Sequence, residues 1–299
     1  MTYCAQGDPL RLFADAVYQN TGAVVDPIPD GKLHRFNDPE GKRNNLACWY
    51  VLHLDGHPAG AIGNWRTGYQ CTWRQNSRRQ LDPAERARIE VLVQAARAQR
   101  ERECIEAHRK AAERACALWR DARPATIDHP YLVSKQIPAL CLRQCGDVLL
   151  VPLRTVAGEL VNIQRIHPDG SKRFLKGGRI TGTFALFGRE LPEVGELYIA
   201  EGWATAATIA STLRQPVVAA MNAGNLKAVA QAVREARPRL ALVVAADNDH
   251  RTPGNPGITK GAEAARLVQG AMTWPTTCRE ADCSCTDYND TANCGRAPQ

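Results

Sequence analysis

The chain has 299 residues, 44% hydrophobic and 23% charged, a balance that fits a water-soluble globular protein and excludes a disordered or fibrous one. With 38 Lys and Arg against 31 Asp and Glu, the net charge is +7 and the pI near 8.9, which suits a polyanionic partner such as nucleic acid without requiring one. No apolar run approaches the roughly 18–20 residues needed to span a bilayer, and the N-terminus lacks the basic region and apolar core of a secretory signal, so a cytoplasmic protein with no membrane partner is expected.

The 11 cysteines are scattered through the chain, and without a secretory signal they read as reduced thiols, some of them metal-bound, rather than a disulfide framework. Texture divides the sequence into four expected segments: a small β-rich module over 1–80, a helical connector over 81–123, a mixed α+β segment over 124–190 and an α/β domain over 191–299.

Leu10, Phe13, Ala14 and Val17 have the spacing of a short amphipathic helix, which the Pro27 and Pro29 region then breaks. Trp49–Leu54 and Pro58–Trp65 flank Asp55-Gly56 and read as a hairpin, with Gly68–Trp73 adding a further strand. Basic residues surround this module. Trp49, Trp65, Tyr69 and Trp73 therefore have two readings: a stacking surface for single-stranded nucleic acid, or the core of a small sheet, which we prefer. Asp82-Pro83 is an N-terminal helix signal, and the following stretch to Trp119 lacks Gly and Pro, as one long helix or two joined by a bend. Its mixed acidic and basic residues predict a solvated, salt-bridged face.

Asp147–Arg154 and Glu159–Ile166 form a second hairpin around Ala157-Gly158. A turn at Pro168–Ser171 leads to Lys172, Arg173 and Lys176, a basic cluster that becomes a candidate phosphate grip if an acidic metal site lies beside it. From Glu196 the pattern alternates: strand Leu197–Ala200, helix Trp203–Leu213, strand Val217–Met221, helix Leu226–Ala236, strand Leu240–Ala246 and helix Thr259–Met272. Such a βαβ series predicts a parallel sheet with right-handed crossovers. Glu201-Gly202 and Asp247-Asn248-Asp249 directly follow two of its strands, where ligands of open α/β sheets collect. Residues two apart in an extended segment face the same way, so Asp247 and Asp249 can join Glu201 around one hard divalent cation. No G-x-x-x-x-G-K-[ST] phosphate loop is present.

Glu201-Gly202 with Asp247-Asn248-Asp249 resembles the Toprim fold of topoisomerases and bacterial-type primases, and Asp287-Tyr288-Asn289-Asp290 is similar to an acidic segment of plasmid and phage primases. Upstream, Val151–Arg154, Gly158–Leu160, Lys172–Leu175 and Leu186–Gly188 are similar to the segment that precedes the Toprim module in primase cores. The likeness covers roughly 124–290. More weakly, 32–73 resembles the leader of conjugative-plasmid and phage primase-like proteins.

The resemblance implies a Toprim-type parallel sheet domain preceded by a primase-core subdomain. It implies that Glu201, Asp247 and Asp249, joined by Asp287 and Asp290, bind catalytic Mg2+ or Mn2+. It further implies that Lys172, Arg173, Lys176 and Arg154 hold template or nucleoside triphosphate. The zinc ribbon with which bacterial primases usually begin is not recognisable before Pro124, and no helicase is fused, so a replicative helicase or single-strand-binding protein is expected as a separate partner.

Cys278, Cys283, Cys285 and Cys294 close the chain with four thiols, enough for a tetrahedral Zn2+ site, although their spacing is not that of paired C-x-x-C knuckles and reduced thiols are the simpler reading. The expected activity is DNA primase: a cytoplasmic nucleotidyltransferase of DNA replication on a plasmid, phage or other mobile element, making short oligonucleotides on single-stranded DNA. The alternatives are a Toprim metal-dependent nuclease, which would use the same acids with water, and a non-catalytic single-stranded DNA-binding protein.

Overall fold

The computed structural model describes residues 8–41, 43–55, 58–75, 83–275 and 283–294. The chain divides into two units, Met1–Val91 and Leu92–Gln299.

The first unit opens with α1 (Pro9–Thr21). Asp8 caps it by accepting the Leu10 N–H at 3.1 Å, and Gly22, with φ of +70°, ends it in the left-handed conformation. A four-stranded antiparallel meander follows: β1 (His34–Phe36), β2 (Cys48–His53), β3 (Ala59–Asn64) and β4 (Tyr69–Arg74), in that spatial order. Phe13 and Val17, one turn apart on α1, bury against Tyr50, Leu52 and Ile62. Gly60 makes this possible, because a Cβ there would lie 2.6 Å from the Phe13 ring.

The aromatic residues divide between core and surface. Trp73 packs edge-on to Phe13 at 5.1 Å in the core. Buried Trp49 stacks with Trp65 at 5.9 Å, and Trp65, 51% exposed, also carries the Arg35 guanidinium 4.5 Å from its ring centre. Trp65 is thus already engaged by an aromatic ring and a cation.

The helical stretch is a single helix, α2 (Pro83–Asp121), 39 residues long and about 58 Å at 1.5 Å per residue. The capping position expected at Asp82 lies outside the described residues. Arg109 pairs with Glu106 at 2.7 Å and with Glu113, and Lys110 with Glu106 at 3.4 Å, which is the solvated face expected of this composition.

The second unit contains two sheets. The antiparallel one has β5 (Arg123–Pro124), β6 (Arg143–Cys145), β7 (Val148–Arg154), β8 (Leu160–Ile166) and β9 (Lys172–Phe174) in sequential order. The short helix α3 (Pro130–Lys135) leaves from β5; His129 caps it, its Nδ1 accepting the Tyr131 N–H while Nε2 donates to the Asp147 carbonyl at 2.9 Å. Strand alternation gives this sheet two faces. Leu150 and Ile163 on one pack with Leu175 against Ala115 of α2, whereas Leu149, Val151 and Ile166 on the other enter the main core.

The other sheet holds β10 (Ala185–Phe187), β11 (Gly195–Ala200), β12 (Val217–Ala219), β13 (Leu240–Ala245) and β14 (Ala271–Thr273), in the order β10-β12-β11-β13-β14. Helices α4 (Trp203–Leu213), α5 (Leu226–Ala236) and α6 (Pro256–Leu267) connect its parallel strands, and α7 (Tyr288–Ala292) follows. The helix expected over Thr259–Met272 ends at Leu267. Gln269 takes a φ of +51° and Gly270 packs so closely on the Leu242 carbonyl that a Cβ would sit 2.6 Å from it, which frees Ala271–Thr273 to pair with β13. Likewise β10, which falls within the mixed segment expected over 124–190, crosses to pair antiparallel with β12 of the other sheet.

The two sheets share one core, in which Leu149, Val151 and Ile166 meet Trp203, Ala206 and Val217. On the opposite side of the parallel sheet, Ile199, Val218 and Val244 pack on Leu226, Val229 and Val233 of α5 and Ala264 of α6. No helix among the described residues is long and apolar enough to cross a membrane.

One buried side chain ties the connection between β9 and β10 to the end of β12. The Asn225 amide nitrogen reaches the carbonyls of Ile180 (3.0 Å), Thr183 (2.9 Å) and Ala220 (2.8 Å), and its oxygen accepts the Gly182 N–H at 2.8 Å. Asn225→Ala strands these buried groups and is expected to lower unfolding stability by about 2–4 kcal/mol, read from the midpoint of a urea titration at unchanged m-value.

Candidate metal centre

The parallel sheet has its topological switch point between β11 and β13. The chain leaves β11 through α4 toward β12 on one side, and leaves β13 through α6 toward β14 on the other. A crevice therefore opens at the carboxyl ends of these two adjacent strands. Ala200 pairs with Ala245 at the end of the ladder, so Glu201 and Asp247 project from neighbouring strand ends into that crevice.

Neither carboxylate is satisfied by the protein. Glu201 Oε2 and Asp247 Oδ1 are buried without a hydrogen-bond partner. Desolvation, followed by the charge of Asp249, pushes Glu201 up to about 7 even though the Ala223 N–H bonds to it. Asp247 rises to about 8, again first by burial and then by the charges of Glu201, Asp287, Asp249 and Asp290. Buried acids are ordinarily paired; here two converge with a bare oxygen each, the donor set of a hard divalent cation.

Asp249 is held from the other side. Its Oδ2 accepts the Gly257 N–H at 3.0 Å in the first turn of α6. A Cβ on Gly257 would lie 2.3 Å from the Asp247 carbonyl oxygen, so only glycine lets the helix approach this closely. Gly202 is not crowded, since a Cβ there would meet only Thr205 Oγ1 at 4.0 Å.

Asp287 and Asp290 reach the same crevice. The Asn248 N–H donates to the Thr286 carbonyl at 2.6 Å and fastens their segment to the end of β13. Asp287 caps α7 by accepting the Asp290 N–H at 2.8 Å, and burial raises its pKa. Asp290 is paired with Lys135 at 2.9 Å. Burial alone would lower the Lys135 pKa, but the bond to Asp290 and the charge of Asp287 outweigh it and the net shift is upward. Asn289 is buried and donates to the Lys135 carbonyl at 2.8 Å and to Thr208 at 3.0 Å.

The basic residues singled out by sequence do not stay together. Lys172 is an exposed residue whose ammonium lies 5.3 Å from the centre of the Tyr131 ring. Its pKa is lowered by desolvation and by Lys135, against the pull of Asp287, Asp247 and Glu201. Arg173, one residue on, pairs with Arg165 in the row of Leu150 on the opposite, α2 face. Lys176 lines an open groove of about 710 Å3 with Lys110, Glu113 and Arg114 of α2, and its carbonyl accepts from Arg114 at 2.7 Å. Arg154 donates to the Gly158 carbonyl at 2.8 Å within its own hairpin. Tyr131 and Lys135, which sequence reasoning passed over, flank the acids instead; the only local signal for them was the capped turn beginning at His129-Pro130. Of the four tail cysteines, Cys283, Cys285 and Cys294 lie together, and Cys278 is outside the described residues.

Residues 196–296 match the family profile of the Toprim domain. This region is a Toprim domain. The chain is also 39% identical over 281 residues to a DNA primase TraC of Escherichia coli, and 36% identical over 282 residues to a second Escherichia coli DNA primase TraC. Each match covers 89% of this chain, but the chain spans only 26% and 19% of the length of those relatives. Among solved structures, the primase fragment of the bacteriophage T7 primase-helicase protein aligns over 54% of this chain and 68% of its own, with a TM-score of 0.41 and 20% identity. The Toprim domain thus occupies the α/β part of a chain whose resemblance to the two DNA primase TraC proteins extends well upstream of it.

The raised carboxyl groups set a pH signature. Protons that the folded state retains up to about pH 7 for Glu201 and about pH 8 for Asp247 leave the unfolded chain near pH 4. Their contribution to stability is complete below pH 4 and is lost as pH rises through these folded values. In chelator-treated protein Asp247→Asn is therefore expected to be more stable than the wild type at pH 8.5, by on the order of a few kcal/mol, with the gap closing at pH 5. Calorimetric melts at the two pH values check both the sign and the window.

Proposed function

We propose that this chain is the catalytic part of a Toprim-type DNA primase, a nucleotidyltransferase that extends short oligonucleotides on single-stranded DNA. The observation that supports it most is the pair of buried, unpartnered oxygens of Glu201 and Asp247 at the switch point of the sheet. The identity of 36–39% to two DNA primase TraC proteins over 89% of the chain supports the reaction class.

In this reading Glu201, Asp247 and Asp249 hold Mg2+ or Mn2+, and Asp287 and Asp290 complete the acidic surround. When bound, the cation favours ionisation of the attacking hydroxyl and offsets charge on the transferring phosphate. The 3′ oxygen of one nucleotide forms a bond to the α-phosphorus of the next, the bond to the β-phosphate oxygen breaks, and pyrophosphate leaves with that electron pair. The hydroxyl proton passes to solvent.

The chain's own residues bind and orient. Lys172, projecting toward the acids, meets the phosphates of the incoming nucleoside triphosphate. Lys135 neutralises Asp290 and so limits the charge the cation must balance. Arg173 and Lys176 on the α2 face provide a track for template phosphates, and Arg154 stiffens the hairpin beside it. In this reading a replicative helicase and a single-strand-binding activity work alongside it. The setting is DNA replication on a plasmid, phage or related element, in the cytoplasm.

Incubation with single-stranded DNA, labelled nucleoside triphosphates and Mg2+ or Mn2+ tests this. Wild-type protein is expected to yield short labelled oligonucleotides. Asp247→Asn should lose about 10²-fold or more of the activity, and Lys172→Ala should raise the KM for nucleotide more than it lowers kcat. Shortened template without labelled product would identify a nuclease instead. DNA binding with neither product, unchanged by Asp247→Asn, would identify a non-catalytic binding protein.

A further inference from the structure

The segment bearing Asp287 and Asp290 is bracketed by thiols. Cys283 and Cys285 precede α7 and Cys294 follows it, and their three sulfur atoms lie within 4.8 Å of one another. Cys283 is buried, and the other two are half-buried. The sulfurs of Cys283 and Cys294 are 4.0 Å apart, close to the ~3.8 Å that separates thiolates around a tetrahedral zinc ion with Zn–S bonds of about 2.3 Å. A disulfide would need about 2.05 Å.

The surroundings suit a bound thiolate set. The Cys285 N–H is directed at the Cys283 sulfur at 3.5 Å, the kind of outer hydrogen bond that supports a metal-bound sulfur. Cys285 Sγ lies 3.5 Å from the Asp290 carbonyl oxygen, which places the cluster against the first turn of α7. His250, just past the acidic strand end, has its Nε2 3.3 Å from the Cys283 carbonyl oxygen and its Nδ1 3.1 Å from that of Asn248. The cluster therefore touches both pieces of backbone that deliver acids to the crevice.

There is also a structural need. α7 has five residues, far short of the roughly 12–15 at which an isolated helix becomes even marginally stable. It nonetheless positions Asp287 and Asp290 among carboxylates that repel them. Sulfur donors select zinc over the hard cations suited to the neighbouring carboxylates.

We propose that Cys283, Cys285 and Cys294 bind a structural zinc ion that clamps the two ends of α7 and so fixes Asp287 and Asp290 beside Glu201 and Asp247. The metal site stands independently of the assigned reaction; only the benefit to catalysis rests on the primase reading.

The test uses the full chain purified under reducing conditions without chelator. Plasma mass spectrometry is expected to find about one zinc per chain, released by a mercurial thiol reagent and captured by a colorimetric chelator. Cys285→Ser and Cys294→Ser should each lower zinc retention at least about tenfold. Because these variants could fail to fold, wild-type protein is also stripped and reloaded with Co2+. An intense thiolate-to-cobalt charge-transfer band, with recovery of the melting temperature, supports the site. Wild-type protein lacking stoichiometric zinc and any such band would overturn it, as would a Cys283–Cys294 disulfide in the purified chain. Asp247→Asn should keep its zinc while losing primer synthesis, so failure of the zinc site and failure of the primase assignment give different results.

Discussion

Mutual repulsion among carboxylates brought to one desolvated crevice is the constraint on which the rest of this structure depends. Asp247 feels the charges of Glu201, Asp287, Asp249 and Asp290 there, and Glu201 those of Asp249 and Asp287, with Lys135 and Lys172 as counter-charges. Left to side-chain freedom, such groups would swing apart into water. Each is instead held in place: Glu201 and Asp247 by adjacent strand ends, Asp249 by the Gly257 N–H on its side chain, Asp287 by its capping bond to the Asp290 N–H, and Asp290 by Lys135. The scaffold concedes stability at this point, and the shared core around Trp203 and the Asn225 network offset the loss.

The antiparallel sheet is part of the site as well as a lead-in to it. Its core face packs against α4, and that same face presents Lys172 to the acids, while α3 carries Tyr131 under the Lys172 ammonium and Lys135 against Asp290. By moving into the parallel sheet, β10 makes this docking covalent and short. An antiparallel sheet and a Toprim domain separated by a flexible hinge could not hold Lys172 and Asp247 in a fixed relation.

What sequence could reveal follows from how local each cause is. Glu201 and the Asp247/Asp249 pair were readable because an apolar run ending in acid is a contiguous pattern, and the strand ladder then does the positioning. The basic cluster was misleading for an equally simple reason: in an extended segment, neighbours in sequence face opposite sides, so Lys172 joins the acids and Arg173 turns toward α2. Lys135 was invisible because its partner Asp290 lies 155 residues away. The short strand β14 was absorbed into the preceding helix because its pairing is decided by Gln269 and Gly270, whose backbone geometry no periodicity records. In the first unit, Trp65 answered to neither reading fully, since it is exposed yet already stacked on Trp49 and capped by Arg35.

The last stretch of the described chain places two donor chemistries within a dozen residues. Between Cys283 and Cys294 soft sulfur and hard oxygen donors are interleaved: two thiols, then Asp287 and Asp290, then a third thiol. Folding sorts them. The short helix sends its acids toward the crevice and leaves the sulfurs gathered beside the turn that precedes it. Donor softness would keep a zinc ion and a magnesium ion apart, because magnesium gains little from thiolates and zinc is held best by them. A carboxylate substituted into the sulfur cluster, or a thiol into the acidic one, would blur that distinction. The separation by donor type is thus what would let the proposed zinc ion and the proposed catalytic ion lie on one short segment without exchanging places.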